Sequence, residues 1–181
     1  MDMDTWEWVV LGVAIALCVV LALAFARIRR RRSHLEQRFG REYQRVIADK
    51  GLADGESHLG QVESERDELE LRELPRTTRD RYLEEWRQAE TRFVSDPHDA
   101  ARAAERIVAR VLEERGYPDG DETDLVSLVS VDHPEVAERY RHGRAMLDAV
   151  DGAESTESLR KAMLDFRAVL DDVLQRSGAA A

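Results

Sequence analysis

The chain has 181 residues, 37 acidic and 27 basic side chains for a formal net charge of −10, and one cysteine. A surface this acidic repels DNA and RNA, because phosphate neutralisation supplies most non-specific nucleic-acid affinity. A single cysteine excludes a disulfide framework and a thiolate metal site, and the length accommodates one anchor and one modest soluble domain.

The first predicted element is apolar. Val9 to Ala26 is eighteen residues without a charge or a side-chain amide. At a rise of roughly 1.5 Å per residue it reaches about 27 Å, close to the hydrocarbon thickness of roughly 30 Å. Eleven of the eighteen are Leu, Ile, Val or Phe, which favours insertion by about 3 to 7 kcal/mol. Trp6 and Trp8 stand where an interfacial aromatic belt would stand, and Arg27, Arg29, Arg30, Arg31 and Arg32 close the other end. Ala24-Phe25-Ala26 has the form of a signal-peptidase site, but the preceding "MDMDTWE" has three acids and no base, the reverse of a signal peptide. The expectation is a retained transmembrane helix over 9–26. The arginines orient it, with residues 1–8 outside and the remainder cytoplasmic, in a bacterial inner membrane. The same arginines could also attract anionic lipid.

Residues 1–32 hold five of the bases and three of the acids, which leaves 22 bases and 34 acids in the remaining 149 residues. Arginine outnumbers lysine twenty-five to two, a usage typical of GC-rich bacterial genomes. Over 33–50, Leu35, Phe39, Tyr43, Val46 and Ile47 recur at helical spacing, with Gly51 and Gly55 as stops. The following stretch is mostly charged, so 27–75 reads as a juxtamembrane helix and a charged linker or exposed helix.

A compact unit is expected over 76–177, with a short tail at 178–181. Tyr82, Trp86, Ala89 and Phe93 mark a helix over roughly 78–95, flanked by Leu83 and Val94. Asp96 and Pro97 supply an N-cap and a first helical residue for a second helix, with Ala101, Ala104, Ile107, Val108, Val111 and Leu112 inward and Gly116 at its C′ position. "YPDGDETDLVSLVSVDHP" reads as a loop with an apolar centre; a strand at 125–131 would have nothing to pair with. Pro134 opens a third helix with Val136, Tyr140, Gly143, Leu147 and Val150 inward, and Thr156 caps a fourth. There Leu159, Met163, Phe166, Leu170 and Val173 step by 4, 3, 4, 3, the coiled-coil spacing. The fold class is therefore all-α: a single N-terminal transmembrane helix, a charged linker or helix, then a small amphipathic bundle of about four helices.

No pattern of catalytic or cofactor chemistry emerges. The five histidines form no H-E-x-x-H pair, and the helices carry no Glu-x-x-His for a di-iron site. Glu138 and His142, one turn apart, read as solvated face residues. Asp119, Asp121, Glu122 and Asp124 lack the spacing of an EF-hand and read as turn and cap residues. There is no phosphate-binding glycine loop, nucleophile elbow or Cys–His pair. No cofactor and no metal are expected, and Trp86 and Phe93 read as core.

Trp86, Gln88, Phe93-Val94, Asp96-Pro97, Arg115-Gly116-Tyr117-Pro118 and Val131-Asp132-His133-Pro134 form a set of junction motifs. With "LEQRFGREYQRV" upstream, residues 35–145 resemble a family of uncharacterised bacterial proteins of actinobacterial type. The resemblance implies this segmentation and brings no reaction with it. The expected role is a membrane-anchored interaction or scaffold module that binds a protein partner or itself, through the bundle's exposed face or the helix from Leu159 to Leu174. The alternative is a small-ligand or metal-binding sensor or enzyme with a pocket near Trp86, Asp132 and His133. The remaining candidate positions, Phe93, Asp96, Pro97, Gly116, Tyr117, Pro118 and Pro134, read as interaction or junction residues.

Overall fold

The computed structural model describes the backbone of residues 5–119, 122–149 and 155–176, and their side chains from Val13 onward except those of 122–124, 155 and 176. Asp121, Val150 and the 178–181 tail, and the side chains of Trp6, Trp8, Glu122 and Asp124, lie outside the described residues. Among those described the chain is all-helical, in the order α1 Thr5–Phe39, α2 Arg41–Lys50, α3 Leu52–Glu68, α4 Arg76–Phe93, α5 Pro97–Glu114, α6 Glu122–Asp132, α7 Pro134–Asp148 and α8 Ser155–Arg176.

The four expected bundle helices are α4, α5, α7 and α8; α8 packs on both α5 and α7, and α4 on α5. Their junctions follow the sequence chemistry. The Asp96 side chain accepts from the Asp99 amide at 3.0 Å, with Pro97 first in α5. The α5 C-terminus closes with Tyr117 N–H donating to Leu112 O at 3.1 Å and Gly116 N–H to Glu113 O at 2.8 Å, the paired bonds of a Schellman turn. Gly116 is needed there twice over. Its φ is +107°, and a Cβ would stand 2.8 Å from the Glu70 carbonyl oxygen. Gly143 serves packing alone: a Cβ there would meet the Phe166 ring at 3.0 Å.

Four expectations need correction. First, 51–75 is no spacer. α3 buries Gly55, Leu59 and Val62, and the segment after it buries Leu74 and donates Arg72 N–H to Arg115 O at 2.7 Å. Gly55 is therefore no stop: it lies inside α3 against Ile47 of α2. Second, 125–131 is neither loop nor strand. It is most of α6, where every residue from Val126 to Val131 is buried against α7, α3 and α1. A helix enclosed on all sides has no polar face, so it shows no 3.6-residue alternation. Its buried Ser130 hydroxyl donates to Ser127 O at 2.7 Å, which satisfies the polar group internally. Third, α8 begins at Ser155, so Thr156 lies in its first turn rather than at the cap. Fourth, Val94 does not flank the α4 stripe; it is 90 % exposed at the α4–α5 corner.

The coiled-coil seam of α8 is occupied within the chain. Leu159, Met163, Phe166, Leu170 and Val173 are all buried, and Phe166 meets Tyr140 edge-on at 5.8 Å. That seam is not a free binding surface.

α1 joins two environments. From Val13 to Phe25 its large apolar side chains are 51–65 % exposed, on every side of the helix. About three to four turns later the same helix places Leu35 and Phe39, 1 % and 0 % exposed, in the common core. Gly40, at φ +55°, then turns the chain into α2. Among the described residues no helix is long and apolar enough to cross a membrane. The described side chains take in only Val13–Ala26 of the apolar run, about 21 Å at the helical rise.

Candidate functional site

Two of the junction residues converge on a residue outside any motif. Asp132, at the end of α6, accepts from Arg66 Nε of α3 at 2.5 Å, and its other oxygen is 3.9 Å from Arg38 Nη2 of α1. Arg38 also reaches Asp67 at 3.3 Å and pairs with Glu63. Tyr117, buried after the α5 turn, has its phenol pushed up by burial, with Arg66 pulling it down and Asp132 pushing it up. The "RGYP" and "VDHP" junctions thus meet through Arg66, and the cluster ties α1, α3 and α6 together at the end of α5. Every carboxylate in it faces a guanidinium, so its chemistry is that of a fastener.

Arg66 escaped the sequence reading because it sits in a charged stretch. Gly55, Leu59, Val62 and Arg66 do step by 4, 3, 4, but a glycine and an arginine at seam positions dilute the apolar signal.

The other candidates are dispersed. Trp86 is a core residue whose Nε1–H donates to Glu90 at 2.7 Å, with the Arg167 guanidinium 5.7 Å from the ring centre. Phe93, Asp96 and Pro97 form the α4–α5 corner, Gly116 the α5 turn, and His133 and Pro134 start α7. A cleft of about 880 Å³ between α4, α5 and α7 is lined by Arg92, Arg106, Arg110, Glu105, Pro118 and Arg144, among others. A second, of about 530 Å³, lies between the start of α4 and the end of α8. Neither is lined by Trp86, Asp132 or His133, so the expected pocket joining these three is not formed by either cleft. Glu138 and His142 have separate partners, Arg41 at 2.5 Å and Asp165 at 2.5 Å. Among the described residues no group of three or more His, Cys, Asp or Glu side chains is placed to hold a metal ion.

Removing the negative charge at Asp132 leaves Arg66 half-enclosed and opposite a neutral group. Asp132→Asn is expected to cost about 1–2 kcal/mol, below the range for a fully buried pair because both partners keep some solvent. In a double-mutant cycle with Arg66→Met, denaturant unfolding should show a favourable coupling between the two; additive costs would contradict the fastener.

Glu42 on α2 is a buried carboxylate, bonded to Arg45 at 2.9 Å and paired with Arg141 of α7 at 2.7 Å. Burial raises its pKa, while Arg45 pulls it down. The folded protein therefore favours the protonated form more than the unfolded chain does. That contribution is present below the unfolded pKa and is lost as pH rises through the folded one. Relative to wild type, Glu42→Gln is expected to gain in melting temperature as pH rises from about 4 to 7. A falling difference over the same window would show that the two arginines outweigh burial.

In comparison with known proteins, no family model, curated protein or solved structure matches the chain.

Proposed function

We propose that this chain is a single-pass membrane protein that holds an acidic helical interaction domain at the inner surface of a bacterial inner membrane. One observation carries the reading. A helix that is apolar and exposed on every side needs an apolar surrounding, and the chain's own domain does not supply one around Val13–Phe25. In the full sequence the run reaches back to Val9, which brings its length to that of a bilayer's hydrocarbon. The arginines from Arg27 to Arg32 put the domain on the cytoplasmic side.

The domain's role in this reading is to bind a protein partner. With the α8 seam closed, this reading assigns the partner to the outer faces of α4 and α5 around the larger cleft. They present both signs of charge, including Arg92, Arg106 and Glu113, which suits register-setting polar contacts. Crosslinking in the native membrane with mass spectrometry tests this. One dominant partner, reduced by charge reversal at Arg92 and Arg106, is expected. A crosslink pattern that ignores both substitutions would overturn the assignment of this face.

A further inference from the structure

The ion pairs between α1 and α3 fix how these two helices run. Arg32 pairs with Glu56 at 2.9 Å, and Arg38, further along α1, pairs with Glu63 and Asp67, further along α3. The helices are therefore parallel, with Arg32 level with Glu56. Arg31 adds to the same contact: its Nη2 lies 2.9 Å from where a Cβ on Gly60 would stand. One turn toward the N-terminal end of each helix are Ile28 and Leu52. Both are apolar and both are exposed, at 56 % and 43 %.

Their height is informative. Ile28 is two residues beyond Ala26, the last residue of the apolar run. Leu52 opens α3 at that same level, beside Lys50 at the end of α2. The α2–α3 turn is therefore carried back along α1 to the point where the apolar run ends. Arg27, Arg29 and Arg30, all exposed, ring that level. Asp49 and Asp54 flank the turn and would remain in the headgroup water. An exposed leucine next to a lysine at the height of an arginine collar has the composition of an interfacial contact, with the apolar side chain below and the cations at the phosphates.

We infer that the α2–α3 turn is a second membrane contact, in which the phospholipid surface covers Leu52 together with Ile28. This rests on the anchored reading above. It adds that the domain lies against the bilayer and is not held clear of it on a stalk. The turn would stop the domain from tilting away about α1.

The test uses the full chain in liposomes of phosphatidylethanolamine and phosphatidylglycerol, with one fluorescent cysteine label per protein. The labels are at native Cys18, at Leu52→Cys in a Cys18→Ser background, and at Leu164→Cys in the same background. Leu164 is 57 % exposed on α8 and serves as the water-facing reference. Aqueous iodide and a headgroup-nitroxide lipid are the two quenchers. The expected result is iodide quenching at 52 several-fold weaker than at 164, with strong quenching at 52 by the nitroxide lipid. If 52 is quenched by iodide as readily as 164 while Cys18 stays shielded, the contact is wrong and the anchor stands. Shielding of 52 from both quenchers also overturns it, because protein rather than lipid would then cover the turn. If Cys18 is itself open to iodide, the anchored reading fails and this inference with it.

Discussion

The full chain carrying Leu17→Arg and Leu21→Arg is expected to stay in the aqueous phase when liposomes are floated, whereas the wild type floats with them. Both side chains lie mid-run and are exposed on α1. Each substitution removes an apolar contribution of about 0.3–0.6 kcal/mol and adds a cost of about 2.5–3.5 kcal/mol near the bilayer centre. Together they swing the balance by roughly 6–8 kcal/mol, against a favourable term of about 3–7 kcal/mol for the whole run. The domain itself should be untouched, because neither residue is part of the core. Far-ultraviolet circular dichroism and the denaturant midpoint of the floated and unfloated forms would check that. Continued flotation of the double variant would mean that something other than the apolar run holds the chain to lipid.

The second large effect lies in the domain. Phe166→Ala is expected to destabilise by about 3–5 kcal/mol, the range for emptying a buried aromatic site. Phe166 is fully buried, seats its ring against Gly143 on α7, and meets Tyr140 edge-on. Gly143 contributes no side chain of its own to fill the space once the ring is gone, so a cavity remains between α7 and α8. Leu164→Ala, two residues away but exposed, should change stability by no more than about 0.5 kcal/mol. Denaturant titration of both variants makes the comparison. A cost at Phe166 near that of Leu164 would contradict the packing of α7 on α8.

The sequence made some elements legible and concealed others for identifiable reasons. The bundle helices α4, α5, α7 and α8 each bury one stripe, so their apolar period survives in the sequence. Both ends of α5 and the start of α7 were legible too, because Asp96-Pro97, Gly116 and Pro134 act locally, whereas the start of α8 was not. α6 was hidden by being enclosed on all sides: "LVSLVSV" has no polar face to reveal a helix. α3 was hidden for the opposite reason, since its seam includes Gly55 and Arg66 and its remaining surface is charged. With α3 read as a spacer, the convergence of Asp132 and Tyr117 on Arg66 had no visible partner. The motif residues were found, and the residue that joins two of them was missed. The α8 seam was legible as a pattern, but whether a seam closes on its own chain or on another depends on tertiary packing.

The direct continuity between the exposed apolar helix and the domain core distinguishes this chain from a domain on a flexible tether. Leu35 and Phe39 belong to α1 and to the core at once, so the domain's orientation is set by the helix that carries the apolar run. The ion pairs from Arg32 and Arg38 to α3 hold the same geometry from outside the core.

Alkaline carbonate extraction of cell membranes containing the full wild-type chain tests the anchored account most directly, because it strips proteins held only by charge and leaves those held by a bilayer-spanning helix. A chain held by its apolar helix remains with the membrane pellet. Release into the supernatant would contradict it, and would assign the exposed apolar face of α1 to another protein surface rather than to lipid.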